Sequence, residues 1–223
     1  DSFKESVKNS LEELKTYEQL NNIEIIVIFN NTISLNKNID SLNIKSDLKN
    51  KIIFCVEKTP GSYSARNKGL KLSKGEYIYF IDSDITLTKK SIRHLINIVF
   101  DNLNKNIIIA GKISIQEPSK VTLPYMYETI FEFDQVRNVK NGSAPTANLL
   151  ITKSLINKFG FFNTNKFSGS DKEWVSNCVK RGVILKYDKS LEVIHPSRAS
   201  FSAIIYKYRR TYGGWFKKYK CGD

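Results

Sequence analysis

Residues 76–87 read EYIYFIDSDITL. Ile78, Tyr79, Phe80 and Ile81 form a continuously apolar run of the kind that parallel sheets bury on both faces, and the run ends on two acids, Asp82 and Asp84, with only Ser83 between them. Carboxylates at the carboxyl end of a buried strand stand at the mouth of the sheet, where open α/β folds bind their ligands. Asp-Ser-Asp is also capping composition, and Asp84 is placed to N-cap a helix that starts near Thr88 in TKKSIRHLINIVFDNL. These readings compete, because one carboxylate oxygen cannot cap a helix and hold a ligand at once.

The flanking sequence alternates. IEIIVIF and KIIFCVE read as buried strands, SARNKGLKLS as a short helix, EYIYFID as a third strand, Thr88 to Leu103 as a helix and NIIIAGKISI as a strand. Strands separated by helices imply parallel neighbours joined by right-handed crossovers. The fold class is therefore α/β: an open mixed sheet, mostly parallel, flanked by helices and turning irregular in its second half. The chain opens on a helix, SFKESVKNSLEELKTY, with Phe3, Val7, Leu11 and Leu14 on one face and a capping box of Ser2 and Glu5. A doubly wound sheet normally opens on a strand. The pattern thus predicts a native first strand upstream of Asp1; the alternative is a sheet that begins at IEIIVIF with its edge covered in another way.

Composition sets the bounds. With 223 residues, 41% hydrophobic and 26% charged, the chain fits one globular domain with a substantial core. Cys55, Cys178 and Cys221 are far apart and odd in number, which suits reduced thiols rather than a disulfide framework or a zinc site. No run approaches the ~18 apolar residues of a membrane span, and the polar start is not a signal peptide. A cytoplasmic, reducing location follows. The net charge of +13 points to nucleic acid, anionic lipid or a phosphate-bearing substrate, and from Phe201 to Lys220 there is no acidic residue.

Two longer stretches carry a resemblance. GSYSARNKGLKLSKGEYIYFIDSDI resembles the nucleotide-sugar half of family 2 glycosyltransferases of the GT-A fold, in which an ARNxG helix, a KGEYI turn and an apolar strand lead into an Asp-x-Asp motif. The segment from GSAPTANLLITK to LEVIHPSR is similar to the acceptor half, with its xNxxxxR/K pattern, a GxF segment, an acid before a helix and a late His. The motifs occur in the expected order across residues 2–200. The resemblance implies one GT-A (Rossmann-like) domain over 1–200, its nucleotide-sugar half running to about 115 and its acceptor half from about 116, followed by a basic aromatic helix or flap at 201–223. It also implies an inverting, metal-assisted transfer of a sugar from a nucleoside-diphosphate sugar to a hydroxyl of a glycan or lipid-linked acceptor.

The chemistry explains these residue types. Negative charge develops on the departing diphosphate, and Mn²⁺ or Mg²⁺, which prefers oxygen ligands, neutralises it. By resemblance Asp84 is the metal ligand, Asp82 lies nearer the ribose or shares the metal through water, and His195 completes the metal or diphosphate site. Read alone, His195 at a strand end is a packed structural residue. Arg66 and Asn67 open a helix after GSYS, where N–H groups and a cation meet phosphates, with Lys58 a weaker candidate. Asp171, ahead of KEWVSNCVKRG, is a cap on its own and the general base by resemblance. Ser170 stands where the family has another acid or Gly. Ser170, Asn148 and Trp174 are the acceptor-side candidates. The family's base-reading acid after the strand IEIIVIF is replaced here by Phe29, Asn30, Asn31 and Thr32, so Asn30 or Asn31 is left to meet a nucleobase edge. His94 receives no role.

Two other classes are weighed: a nucleotidyltransferase on a related sheet, and a nucleic-acid-binding protein suggested by YKYRRTYGGWFKKYK. Charge alone does not explain two acidic sites at strand and loop ends, so no nucleic-acid partner is expected. The C-terminal segment is either a helix packed through Ile204, Ile205 and Tyr208, or a flap hinged at Gly213 and Gly214. As a flap, Tyr206, Tyr212, Trp215, Phe216 and Tyr219 with Lys217 and Lys218 suit an anionic membrane surface, and Arg209 or Arg210 closes over the diphosphate. That reading adds peripheral contact at the inner face of a membrane.

Overall fold

The computed structural model describes residues 9–10, 23–30, 32, 35, 39–40, 42, 52–101, 106–198, 200–209 and 212. The amino-terminal helix therefore falls outside the described residues except at positions 9–10, as do Asn31, Arg210, residues 213–223 and with them Cys221.

The apolar runs become strands, and the amphipathic runs between them become helices. In chain order these are β1 (Ile25–Asn30), β2 (Ile52–Glu57), α1 (Ser62–Leu72), β3 (Tyr77–Ile81), β4 (Thr86–Leu87), α2 (Lys89–Phe100), β5 (Ile107–Ile115), α3 (Leu123–Phe131), α4 (Gln135–Lys140), β6 (Asn148–Thr152), α5 (Lys153–Phe159), α6 (Ser170–Lys180) and β7 (Ile184–His195). Residues 201–209 form a further helical segment.

β1 and β2 pair in parallel, from Ile25 opposite Ile52 to Asn30 opposite Glu57. The other strands form one sheet in the order β3-β6-β5-β7-β4. In it β5 and β7 are parallel, while β3 with β6, β6 with β5, and β4 with β7 are antiparallel. Antiparallel pairings thus outnumber parallel ones among the described residues, which corrects the expected mostly parallel sheet. The reason is β6, which runs against both of its neighbours. Helix and strand alternation fixes that a strand exists but not the direction in which it enters the sheet.

The centre of the sheet is dry. Every residue of β6 is buried, as are Ile107 to Gly111 of β5, so these strands read as unbroken apolar runs. Asn148 at the start of β6 ties four strands together. Its amide donates to the carbonyls of Lys112 and Leu191, both at 2.8 Å, and accepts from the Tyr79 hydroxyl at 2.8 Å. A Cβ at Gly111 would lie 2.3 Å from the Leu191 carbonyl oxygen and 2.4 Å from Asn148 Nδ2, so only glycine fits this crossing.

One face of the sheet packs on α5 and α6 through Leu155, Phe162, Trp174, Val175 and Cys178, and the other packs on α2 through Ile85, Leu87 and Ile92. Thr88 caps α2: its hydroxyl accepts from Ser91 N–H at 3.1 Å, and the Ser91 hydroxyl accepts from Thr88 N–H at 3.1 Å. Asp84 is therefore not the cap, and its carboxylate is released for other work. Cys55 and Cys178 are free thiols. In the segment 201–209 Ile204 is buried but Ile205 is exposed, so the packed face expected of that helix is narrower than the sequence suggests. No helix among the described residues is long and apolar enough to cross a membrane.

β1 and β3 both border one cleft of about 1990 Å³. At one end Glu24 fastens them, its Oε2 accepting from the N–H groups of Lys74 at 2.7 Å and Gly75 at 2.9 Å. The other end opens on Asp82 and Asp84.

Candidate active site

The acidic end of the cleft is built by a turn and a strand pairing. After β3 the chain turns through Asp82 to Ile85, whose N–H donates to the Asp82 carbonyl at 3.1 Å, and β4 then pairs with the end of β7, Thr86 opposite Ile194. That register brings His195 beside Asp84, with Nε2 3.3 Å from Oδ2. The ring is buried against Phe133, centroids 4.4 Å apart, and its Nδ1 lies 2.7 Å from the Pro196 carbonyl oxygen. A carbonyl only accepts, so Nδ1 carries the hydrogen and Nε2 is the nitrogen turned to the carboxylate. A neutral imidazole would set two acceptors face to face. The pair needs a positive charge, either a proton on Nε2 or a cation held by both groups. Burial pushes the Asp84 carboxyl up, but its contact with His195, helped by its own backbone N–H and by Arg198, outweighs this and holds it below the usual carboxylate range.

Asp82 meets a different partner. Arg66 donates to its Oδ1 at 2.7 Å while lying over the Tyr63 ring, 5.4 Å from the centroid. Burial pushes the Asp82 carboxyl up, Arg66 opposes this, and the charges of Asp84 and Asp171 add to the rise. Arg66, expected to face phosphates, is thus bound to Asp82 at the floor of the cleft.

Asp171 lies in the first turn of α6, in the same cleft. Its Oδ1 accepts from the Tyr63 hydroxyl at 2.9 Å and from Lys172 N–H at 2.9 Å; its Oδ2 accepts from Thr146 N–H at 3.0 Å and the Thr146 hydroxyl at 3.1 Å. Four donors saturate the four lone-pair sites of a carboxylate. Burial, then the Asp171 charge, raises the Tyr63 phenol, so its hydroxyl stays protonated and donating.

The cleft thus brings Asp82, Asp84 and Asp171 together, with His195 against Asp84. Other expected site residues have different partners. Asn67 clasps the backbone of Phe162, donating to its carbonyl at 2.8 Å and accepting from its N–H at 3.1 Å, outside the cleft lining. Asn148 is the strand knot described above, the Trp174 indole is buried and donates to the Gly160 carbonyl at 2.8 Å, and Ser170 is buried. Asn30 borders the cleft but closes a loop: it donates to the Thr59 carbonyl at 2.8 Å and accepts from Gly61 N–H at 2.8 Å. Gly61, at φ +122°, holds a conformation that favours glycine. Lys58 is exposed. His94 bonds Asp188 at 2.8 Å, away from these groups.

Several residues near the site were not singled out in the sequence. Glu128, fully buried, accepts from Arg198 N–H at 2.6 Å and from its guanidinium, and Glu132 accepts from Lys207. Tyr63 and Thr146 hold Asp171. Of these, Arg198 lies within HPSR, but nothing local marks its partner, which is 70 positions away.

The donor set fits a hard divalent ion. Among the described residues no group of three or more His, Cys, Asp or Glu is arranged to hold a metal ion, and the pair that could hold one here is Asp84 with His195. That small set suits an ion completed by phosphate oxygens and water.

Solved structures share this architecture at low identity. The 1–349 region of TarS from Staphylococcus aureus superposes with a TM-score of 0.62 at 15% identity, over 87% of this chain and 58% of that one. A mannosyltransferase from Pyrobaculum calidifontis, in complex with GDP-Man and Mn²⁺, gives 0.67 at 13% identity, over 98% and 61%. The fold is that of the GT-A glycosyltransferases. Residues 3–160 match the domain described as Glycosyl transferase family 2, and the chain belongs to that family. Among curated relatives it is 22% identical to the glycosyltransferase AglE of Haloferax volcanii over 176 residues, 78% of this chain and 57% of AglE. It is 34% identical to the poly(ribitol-phosphate) β-N-acetylglucosaminyltransferase TarP of Staphylococcus aureus over 95 residues, 42% of this chain and 28% of TarP. The chain thus spans little more than half of AglE and about a quarter of TarP.

Proposed function

We propose that the cleft is the active site of an inverting glycosyltransferase, one that moves a sugar from a nucleoside-diphosphate sugar to a hydroxyl of a glycan or lipid-linked acceptor with the help of Mn²⁺ or Mg²⁺. The observation that carries this reading is the Asp84–His195 pair, whose facing atoms need a proton or a cation between them, in one cleft with the buried carboxylate of Asp171. UDP, UDP-GlcNAc and GDP-Man with Mn²⁺, bound by structural relatives, support a nucleoside-diphosphate sugar as donor.

Asp84 and His195 are the residues that would hold the ion, and the chemistry it would supply is neutralisation of the charge that develops on the leaving diphosphate. Asp82, kept in place by Arg66, lies nearer the ribose. Asp171 is the general base: it takes the proton of the acceptor hydroxyl as that oxygen attacks the anomeric carbon from the side opposite the leaving diphosphate, which inverts the centre. Because four donors fill Asp171, the entering hydroxyl displaces one of them. The Thr146 and Tyr63 hydroxyls can rotate away, whereas the two backbone N–H groups cannot.

A thermal-shift panel of UDP, GDP and their sugars, each with Mn²⁺, with Mg²⁺ and with chelator, tests the proposal. A ligand that binds only the folded state raises the melting temperature as RT ln(1 + [L]/Kd). At least one diphosphate stabilises the protein with metal and loses that effect with chelator or in Asp84→Asn. Stabilisation indifferent to both would remove the metal reading.

A further inference from the structure

Beside the cleft mouth, two helices face solvent in the reverse of the usual order. On α3, Leu123, Met126 and Ile130 recur at i, i+3 and i+7, which places them on one stripe, and they are 68%, 47% and 65% exposed. The one charged residue of α3, Glu128, points inward and is 0% exposed. A solvated helix carries its acids outside and its aliphatics inside; α3 does the opposite. Next to it the segment 201–209 exposes Phe201, Ile205 and Tyr206 while burying Ile204. The Tyr127 hydroxyl donates to the Tyr208 hydroxyl at 3.0 Å, and Lys207 pairs with Glu132, so the two helices stand side by side.

Charge selects what covers this face. Glu128 is neutralised by Arg198 and Glu132 by Lys207, so that among the described residues of the two helices Arg209 is the exposed charged side chain. From Phe201 to Lys220 the sequence carries six cations and no acid. A second copy of a chain with net charge +13 is repelled by the first. An anionic bilayer attracts it, and aliphatic side chains with tyrosines suit the boundary between headgroups and acyl chains. The patch is also continuous with the cleft: Ile130, Phe131 and Tyr208 line the same cavity as Asp84 and Asp171.

We infer that α3 and the segment 201–209 dock the protein on an anionic lipid bilayer, with the cleft mouth opening at the membrane surface to a membrane-borne acceptor. The docking stands on the exposed face alone; the nature of the acceptor rests on the transferase reading above. The test is sedimentation of the whole chain with vesicles of phosphatidylcholine, with and without phosphatidylglycerol, at low and high salt. The parent binds the phosphatidylglycerol vesicles and is released by salt. The double substitution Leu123→Ser, Met126→Ser, at positions outside the cleft, lowers the partition coefficient about tenfold or more, from the apolar area it removes, at unchanged melting temperature. Equal partition of parent and variant overturns the proposal, as does a parent that ignores phosphatidylglycerol. So does a parent that self-associates in sedimentation while leaving vesicles unbound, which would assign the face to a second copy. Nucleotide binding measured on the same samples keeps the two readings apart: a variant that binds nucleotide but not vesicles supports docking, and a parent that binds vesicles but no nucleotide removes only the transferase reading.

Discussion

Replacing Asp171 with asparagine separates its work as a base from its work as a structural anchor. The side chain keeps its shape, and the amide oxygen can take over the two Thr146 donors. The new NH₂ then faces the Tyr63 hydroxyl, which turns to accept, and the Lys172 N–H, which cannot. One charge-assisted pair is lost, which costs about 1.5–3 kcal/mol of stability, or on the order of 3–12 °C in melting temperature for a domain of this size. Losing the base removes roughly 10²–10⁴-fold of rate, equivalent to about 2.7–5.5 kcal/mol of barrier. The assay is release of nucleoside diphosphate from the donor identified by thermal shift, with water as acceptor where no glycan is available, alongside calorimetry of donor binding. Donor affinity stays at the parent value. A second readout is electrostatic: the Asp171 charge helps raise the Asp82 carboxyl, so Asp82 titrates lower in the variant by NMR. A variant that turns over at the parent's rate, or a rate loss explained entirely by unfolded protein, would refute the assignment.

Three further outcomes follow from the geometry. If the acceptor hydroxyl enters by displacing the Tyr63 hydroxyl, Tyr63→Phe lowers the acceptor KM while kcat stays within a few-fold; a raised KM would show that Thr146 is the one displaced. Partial burial pushes the Asp188 carboxyl up, but His94 and the N–H groups of Ser190 and Leu191 outweigh this and hold it low. Its contribution to stability is therefore present above the unfolded carboxylate pKa and is lost as pH falls through the lower folded one, so Asp188→Asn melts lower than the parent near neutrality and shows a shallower fall in melting temperature on acidification. Gly111→Ala forces a Cβ into the Leu191 carbonyl and the Asn148 amide, which costs about 3 kcal/mol or more and lowers the melting temperature by roughly 6–12 °C.

The parts of the fold that were legible in the sequence are those with local causes. Unbroken apolar runs at β1, β2, β3 and β5, and the stripe of Ile92, Leu95 and Ile96 on α2, encode burial in the spacing of residues close in the chain. Strand direction has no such local cause, and the sheet contains more antiparallel pairings than its alternation implies. The acids of the cleft were legible because they sit at element ends inside recognisable motifs. Their partners were not. Tyr63 reaches Asp171 across 108 positions and Arg198 reaches Glu128 across 70, and no short-range pattern records such a pairing. The same limit applies to the amides. An asparagine that clasps a distant backbone, as Asn67 does Phe162, is written no differently from one that meets a ligand.

The edges of β1 and β3 that border the cleft have a consequence for how the protein behaves in solution. Among the described residues β1 pairs with β2 and β3 with β6, and no other described strand pairs with either of them. Such edges are templates on which other molecules add strands. What opposes this is long-range repulsion between copies that each carry +13. That repulsion reaches about 10 Å at 0.1 M salt and about 3 Å at 1 M. Concentrated stocks of the protein therefore keep best in dilute buffer. The salt that strips it from lipid also lets its own copies approach closely enough to stack, and turbidity at high ionic strength, with a growing β-sheet signal, is the form that loss takes.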